Sequence, residues 1–202
     1  MKLDNEQLLR DLGHAQDLNE RGQHQEAHDL LLRVRAATAK TGVRSGYVAW
    51  TLAIATDLLG RFEESMTYIN EALVLDPLAA AFNRSFTIIS KRIRGALLDE
   101  GRKVDDSGTP GLYRLLVDAG GADVEVHLVM ARYLLTTGDK AASLNLIGAV
   151  IALNPSSAEA WLLKAEIAVG MGDHQTAATA TAEAAALGHE PMRFAMSGVA
   201  WA

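Results

Sequence analysis

The sequences Gly138-Asp139-Lys140 and Gly172-Asp173-His174 begin 34 residues apart, and each separates two segments whose apolar residues recur at helical spacing. Similar turns occur at Gly60-Arg61-Phe62 and Gly22-Gln23-His24. Self-similarity at a fixed period of this length is typical of helix-turn-helix units that stack on one another. The sequence therefore predicts an all-α repeat array.

The spacing of other landmarks agrees with this repeat. Gly60 and Gly138 are 78 residues apart, and so are Pro77 and Pro155, which end the related sequences Leu-Asp-Pro and Leu-Asn-Pro. This distance equals two repeats of 34 residues plus ten. We therefore expect an irregular unit, with about ten extra residues, between Pro77 and Val124.

Residues 49–77 form the clearest unit. It contains Ala49-x2-Leu52-Ala53-x2-Thr56, followed by Gly60-Arg61-Phe62-Glu63-Glu64-Ser65, Ile69, Ala72 and Pro77. This pattern resembles the tetratricopeptide repeat family, in which small residues occupy the closest crossing of the two helices. The matching small pairs here are Ala53 with Ser65, Ala131 with Ser143, Ala165 with Ala177, and Ala15 with Ala27. The sequence departs from the family at Lys164, where Leu is usual, and at Thr56 and Ala168, where Tyr is usual.

The resemblance implies an α-solenoid of antiparallel helix pairs, wound into a right-handed superhelix and closed by a C-terminal capping helix. We expect one domain over residues 1–202, with units at about 4–42, 45–77, 78–121 (the irregular unit), 122–155 and 156–189, and a cap at 190–202. The irregular unit is expected to begin with one long helix over 78–103. Residues 103–108 have the composition of a mobile loop.

Composition and charge exclude several classes of protein. The chain has no cysteine, so neither disulfides nor zinc–thiolate sites are expected. A net charge of -6 and a pI near 5.5 are unlike a nucleic-acid-binding surface. The sequence shows neither a signal-peptide pattern nor an apolar run of the roughly 18 residues that would indicate a membrane span, so we expect a cytoplasmic protein.

Few residues suggest catalysis. His24 and His28 are four positions apart, but no glutamate completes a metalloprotease motif and no third metal ligand is evident. Glu63-Glu64 and Asp105-Asp106 are best interpreted as helix-start and loop acids, because negative charge is favourable at a helix N-terminus. We therefore expect no enzymatic activity, no cofactor and no bound metal.

The resemblance also implies that the first helices of successive units line a concave groove. The groove-facing positions would be Tyr47, Trp50, Thr51 and Ile54 in one unit, Glu125, Leu128, Val129 and Arg132 in another, and Glu159, Leu162, Leu163 and Glu166 in the last. An apolar groove with polar edges is typical of a binding surface. Alternatively, an internal helix, either the long one of the irregular unit or the terminal one, fills the groove and makes these residues part of the core.

We expect a scaffold or adaptor that holds a peptide or helix of another protein, with Trp50, Tyr47, Leu128 and Arg132 as anchors. A clamp for the carboxylate tails of chaperones is not expected, because Arg132 is the only strong donor among the groove-facing positions. Two alternatives are a self-assembling homo-oligomer and the accessory part of a larger enzyme complex. The apolar tail over residues 191–202 would then act either as a cap or as a self-association surface.

Overall fold

The computed structural model describes residues 5–40, 42 and 44–188. Over these residues the regular secondary structure consists of ten helices: α1 (Asn5–Glu20), α2 (His24–Ala39), α3 (Gly46–Leu58), α4 (Phe62–Leu75), α5 (Ala80–Leu97), α6 (Thr109–Asp118), α7 (Val124–Thr136), α8 (Lys140–Leu153), α9 (Ala158–Met171) and α10 (His174–Ala186). The all-α helical-pair fold predicted from the sequence is confirmed. The predicted cap at 190–202 lies outside the described residues.

The described residues divide into two compact units. Unit 1 contains the residues up to 96 together with 114–121, and unit 2 contains 97–113 together with the residues from 122 onward. In unit 1, α1 packs on α2, α2 on α3, and α3 on α4. In unit 2, α7 packs on α8, α8 on α9, and α9 on α10. The expectation of a single domain stays a prediction.

The turns inside the helix pairs are closed by glycines. Gly60, Gly138 and Gly172 have φ angles of 73°, 96° and 78°, which lie in the left-handed region where a Cβ atom is unfavourable. At the second of these turns the N–H of Asp139 donates to the carbonyl of Leu134 at 2.8 Å. This bond satisfies one of the free carbonyls at the end of α7. The glycines therefore lie in the turns between the paired helices, as the sequence pattern predicted.

The two helices of a pair cross at small residues. The hydroxyl of Ser65 donates to the carbonyl of Ala53 at 2.9 Å, and the hydroxyl of Ser143 donates to the carbonyl of Ala131 at 2.8 Å. Both serines are fully buried. The two bonds are 78 residues apart in both donor and acceptor, so the same crossing is built twice. In α9 and α10 the corresponding positions are both alanine.

Each unit has its own apolar core. In unit 1 the core joins α1, α2 and α3, and contains Leu12, Ala15, Leu31, Val34, Val48, Leu52 and Ala55. In unit 2 it joins α7, α8 and α9, and contains Leu128, Ala131, Ile147, Val150, Ile151, Ala160, Leu163 and Ile167. Full burial of each large side chain contributes about 1.5–3 kcal/mol, so these clusters supply most of the drive for the helices to pack.

The long helix of the irregular unit is shorter than predicted. It ends at Leu97 rather than near residue 103. The reason is a local turn: the side chain of Asp99 accepts from the N–H of Gly101 at 3.2 Å, and the N–H of Arg102 donates to the carbonyl of Asp99 at 2.9 Å. Aspartate and glycine favour such turns over a continued helix.

We predict opposite effects for alanine at two glycines of unit 2. Gly148 lies inside α8, and a Cβ atom there would meet no other atom, so Gly148→Ala should stabilise the fold by about 0.5–1 kcal/mol. Gly138 has a φ of 96°, so Gly138→Ala should cost roughly 1–2 kcal/mol. Thermal melting followed by circular dichroism should show an increase for the first variant and a decrease for the second. Equal shifts of the same sign would contradict the assigned turn.

Candidate functional site

In unit 1 the predicted groove-facing residues Tyr47 and Trp50 contact other helices of the chain, although Tyr47 is still 39% exposed. The indole N–H of Trp50 donates to the hydroxyl of Ser85 on α5 at 2.8 Å, and the ring centroids of Trp50 and Phe82 are 5.7 Å apart. The hydroxyl of Tyr47 accepts from the amide of Gln16 at 2.7 Å. Trp50 is therefore half-buried against α5, and the binding role predicted for it stays a prediction.

The other two predicted positions on α3 are also turned inward to different degrees. Thr51 is 3% exposed, and its hydroxyl donates to the carbonyls of Tyr47 and Val48, both at 3.0 Å. Ile54 is half-buried. Neither side chain offers a large free surface on unit 1.

An ion pair with a buried carboxylate joins α5 to α3 nearer the other end of α5. Arg92 lies 3.0 Å from Asp57 of α3, whose side chain is only 7% exposed. The second carboxylate oxygen of Asp57 has no hydrogen-bond partner among the described residues. Phe82, Ile89 and Ile93 of α5 are buried as well, and together they would cost several kcal/mol to expose. Helix α5 is therefore a lasting part of unit 1.

We predict that Asp57 makes unit 1 less stable as the pH rises. Burial raises the pKa of Asp57 above its ordinary value of 3.8, and the charge of Arg92 opposes this only in part. Since the folded state binds the proton more tightly than the unfolded chain, the contribution to stability is full below the unfolded pKa and is lost as the pH rises through the folded pKa. The melting temperature of Asp57→Asn minus that of the wild type should therefore increase as the pH rises from about 3.5 to about 7.

The matched control for this experiment is Asp105→Asn, because Asp105 is exposed. That variant should follow the wild type over the same pH range. If Asp57→Asn lost stability relative to the wild type as the pH rose, the attraction of Arg92 would outweigh the cost of burial.

Unit 2 contains an open cleft with a volume of about 240 Å³. One wall is the face of α7, joined by Glu159 of α9, and the other is the segment that connects α5 to α6. The cleft is lined by Leu97, Leu98, Asp99, Arg102, Lys103, Val104, Thr109, Glu125, Leu128, Val129, Arg132 and Glu159. Five of the predicted groove-facing residues are thus brought together at one place.

Helix α7 positions its lining residues by its start and its packing. Asp123 caps the helix by accepting from the N–H of Val126 at 3.0 Å. The hydroxyl of Tyr113 lies 2.9 Å from Nδ1 of His127, which ties the first turn of α7 to α6. Burial raises the pKa of Tyr113, so the phenol keeps its proton. Residues spaced three and four apart on α7 then present one face to the cleft.

The floor of the cleft is apolar and its edge is charged. Leu128 is 4% exposed and belongs to the core, while Val129 is half-buried beside it. At the edge, the guanidinium of Arg132 donates to the carboxylate of Glu159 at 3.0 Å, with both side chains about half exposed. An exposed pair of this kind contributes only about 0–1 kcal/mol to stability. Both groups can therefore exchange partners at low cost.

The remaining predicted residues of α9 lie outside the cleft. Leu163 is 1% exposed and belongs to the core of unit 2, so a partner cannot reach it in this structure. Leu162 is half-buried and Glu166 is exposed, but neither lines the cleft. The binding role predicted for these positions stays a prediction.

Sequence reasoning missed the second wall of the cleft. We call residues 98–108 the strap. Its contribution to the lining is Leu98, Asp99, Arg102, Lys103 and Val104. The sequence predicted a helix as far as residue 103 and a loop only over 103–108, because the polar contacts that shape the strap leave no apolar periodicity. The one available signal was the charge pair Arg102 and Asp106 at a spacing of four within a glycine-rich stretch.

The matched family has the same repeat that the helix pairs display. The sequence profile described as tetratricopeptide repeat matches residues 128–191, which begin within α7 and include α8, α9 and α10. Residues 128–191 therefore match the tetratricopeptide repeat family, as the sequence pattern indicated. No curated protein matches its sequence.

Solved structures similar to this repeat protein include two of MamA and one of yeast Sti1. MamA AMB-1 is 18% identical with a TM-score of 0.44, over 92% of this chain and 93% of that chain. MamA 41-end from Desulfovibrio magneticus RS-1 is 18% identical with a TM-score of 0.37, over 93% and 97%. The TPR2AB domain of yeast Sti1, in complex with pHSP90, is 14% identical with a TM-score of 0.37, over 89% and 77%.

Two features of the described residues concern metal binding and membrane insertion. These residues contain no group of three or more histidine, aspartate or glutamate side chains that could hold a metal ion. None of the helices described here has the length and apolar character needed to cross a membrane.

Proposed function

We propose that the chain is a non-catalytic interaction module whose cleft takes an anchor side chain from a segment of another protein. The observation that carries this proposal is the composition of the cleft in unit 2, an apolar floor on α7 with an exposed ion pair at its edge. Repeat arrays of this class use such surfaces to hold other molecules.

The size of the cleft supports a side chain rather than a substrate. Its volume of about 240 Å³ is below the roughly 300–1,000 Å³ of most small-molecule sites. A single aromatic or long aliphatic side chain would fill it. Protein interfaces concentrate their affinity in one or two such anchors that enter a pocket, surrounded by polar contacts that exclude water.

The lining is better suited to contact than to catalysis. Thr109 is its only hydroxyl-bearing residue, and this residue is 1% exposed and accepts from Nε of Arg102 at 3.2 Å. No histidine is among the lining residues. The cleft therefore offers no accessible hydroxyl beside a histidine, which is the pair used by Ser–His nucleophiles.

Self-assembly is a second candidate, favoured by exposed apolar side chains in unit 1. Val74 is 83% exposed and Leu78 is 90% exposed, near the end of α4. Contact between copies would bury them, whereas isolated exposed residues of this kind are also common on monomers. Light scattering of the wild type and of Leu78→Ser would decide, because a dimer built on this surface should dissociate in the variant. A role as the accessory part of a larger enzyme complex would use the same cleft.

We predict that two substitutions in the cleft each weaken the binding of a protein partner. Val129→Arg places a charged chain over the apolar floor, and Arg132→Ala removes half of the ion pair at the edge. Loss of a central anchor costs on the order of 2 kcal/mol, about thirtyfold in affinity. The measurement is quantitative affinity purification from the source cell, followed by titration of the recovered partner against purified wild type and variants.

The matched control is Ala141→Arg, which adds the same charge at an exposed position of α8 outside the cleft. Binding should survive in this control. If a partner bound the wild type, Val129→Arg and Ala141→Arg equally, with all three folded, the cleft would not be the binding site.

A further inference from the structure

The strap forms one wall of the cleft and has no regular secondary structure. It begins after Leu97, the last residue of α5, and ends before Thr109, the first residue of α6. It places apolar and charged side chains directly opposite Val129 of α7 across the cleft. A partner segment that occupies the cleft would therefore contact the strap as well as α7.

One side chain holds the strap in its present shape. The guanidinium of Arg102 donates through Nη2 to the carboxylate of Asp106 at 2.9 Å, and through Nε to the hydroxyl of Thr109 at 3.2 Å. The same carboxylate oxygen accepts from the N–H of Gly108 at 2.7 Å. Arg102 thus joins the middle of the strap to its end and to the first turn of α6. Its side chain is only 17% exposed.

A glycine makes room for this arrangement. A Cβ atom at Gly108 would lie 2.8 Å from Nη2 of Arg102 and 3.1 Å from Oδ1 of Asp106. The first distance is shorter than real contacts allow, so any larger residue would push the guanidinium away. The φ angle at this glycine is not in the left-handed region, so the requirement concerns space rather than backbone conformation.

The strap buries little apolar surface. Most of its residues are exposed, and its apolar residues are Leu98, which is half-buried, and Val104, which is 52% exposed. Segments with few buried apolar contacts open at a lower free energy than the core they cover. The strap is therefore held mainly by polar contacts, which are those of the Arg102 side chain and backbone hydrogen bonds from the N–H groups of Asp106 and Thr109 to the carbonyls of Lys103 and Asp106.

We propose that the strap is a gate to the cleft and that Arg102 is its latch. The proposal rests on the proposed function, since it concerns access to the same cleft. When Arg102 contacts Asp106 and Thr109, the strap restricts the opening of the cleft. When these contacts are broken, the strap moves away and the apolar floor on α7 becomes more accessible. A partner whose carboxylate competes with Asp106 for Arg102 would open the gate as it binds.

The gate can be tested without knowing the partner, because the chain has no cysteine of its own. A single thiol introduced by Val129→Cys reports access to the floor through its rate of reaction with N-ethylmaleimide. Arg102→Gln, added to that variant, should increase this rate about tenfold, because a charge-assisted hydrogen bond is lost. Gly108→Ala should produce a similar increase by displacing the guanidinium, and Arg102→Lys a smaller one, because the charge is kept.

A thiol introduced by Ala141→Cys, on the exposed face of α8, is the matched control. Its reaction rate should be the same with and without the latch substitutions. If neither Arg102→Gln nor Gly108→Ala accelerated labelling at position 129, the strap would be a fixed wall and the proposal would be wrong. Equal acceleration at positions 129 and 141 would show general loosening of unit 2 and would overturn it as well.

The two proposals fail in different ways. A latch-dependent labelling rate, together with partner binding that is unchanged by Val129→Arg, would reject the proposed function and keep the gate. Loss of binding in Val129→Arg, together with a labelling rate at position 129 that is unchanged by Arg102→Gln, would reject only the gate.

Discussion

The close approach of two helices at Ala53 with Ser65, and again at Ala131 with Ser143, is the constraint on which the rest of the structure depends. Only small side chains allow the backbones to come this near. A buried hydroxyl without a partner would be costly, and the opposing carbonyl removes that cost. Because this contact fixes how each pair crosses, it also decides which side chains of the first helix enter the core and which remain available.

The same positions have different surroundings in the two units. Trp50 and Leu128 are equivalent in the 78-residue register, as are Thr51 and Val129. In unit 1 the tryptophan is covered by α5, which contributes Ser85 and Phe82 to the contact. In unit 2 the corresponding face borders a cleft, because the segment beside it is an irregular strap instead of a helix. The difference between the two surfaces thus lies in the segment packed beside each first helix.

The sequence was sufficient for features that depend on local or periodic signals. The glycine turns, the start of α7 at Asp123 and most helix bounds follow from apolar spacing and from the conformational freedom of glycine. The covering of Trp50 could not be read in this way, because its partners lie some 35 residues further along the chain. The strap was missed for a related reason: its shape depends on the polar contacts of Arg102, which leave no periodic pattern in the sequence.

The strap residues that line the cleft are different from the residues that form the packed interior of unit 2. Its exposed residues, among them Lys103 and Val104, contact the cleft but contribute almost nothing to the packed interior. Mutations at these positions can accumulate over generations without unfolding the helices beneath them. Only Arg102, Asp106 and Gly108 are held in place by one another. Descendants of this sequence could therefore acquire new specificities by drift in a few surface residues, while the repeat scaffold is inherited unchanged.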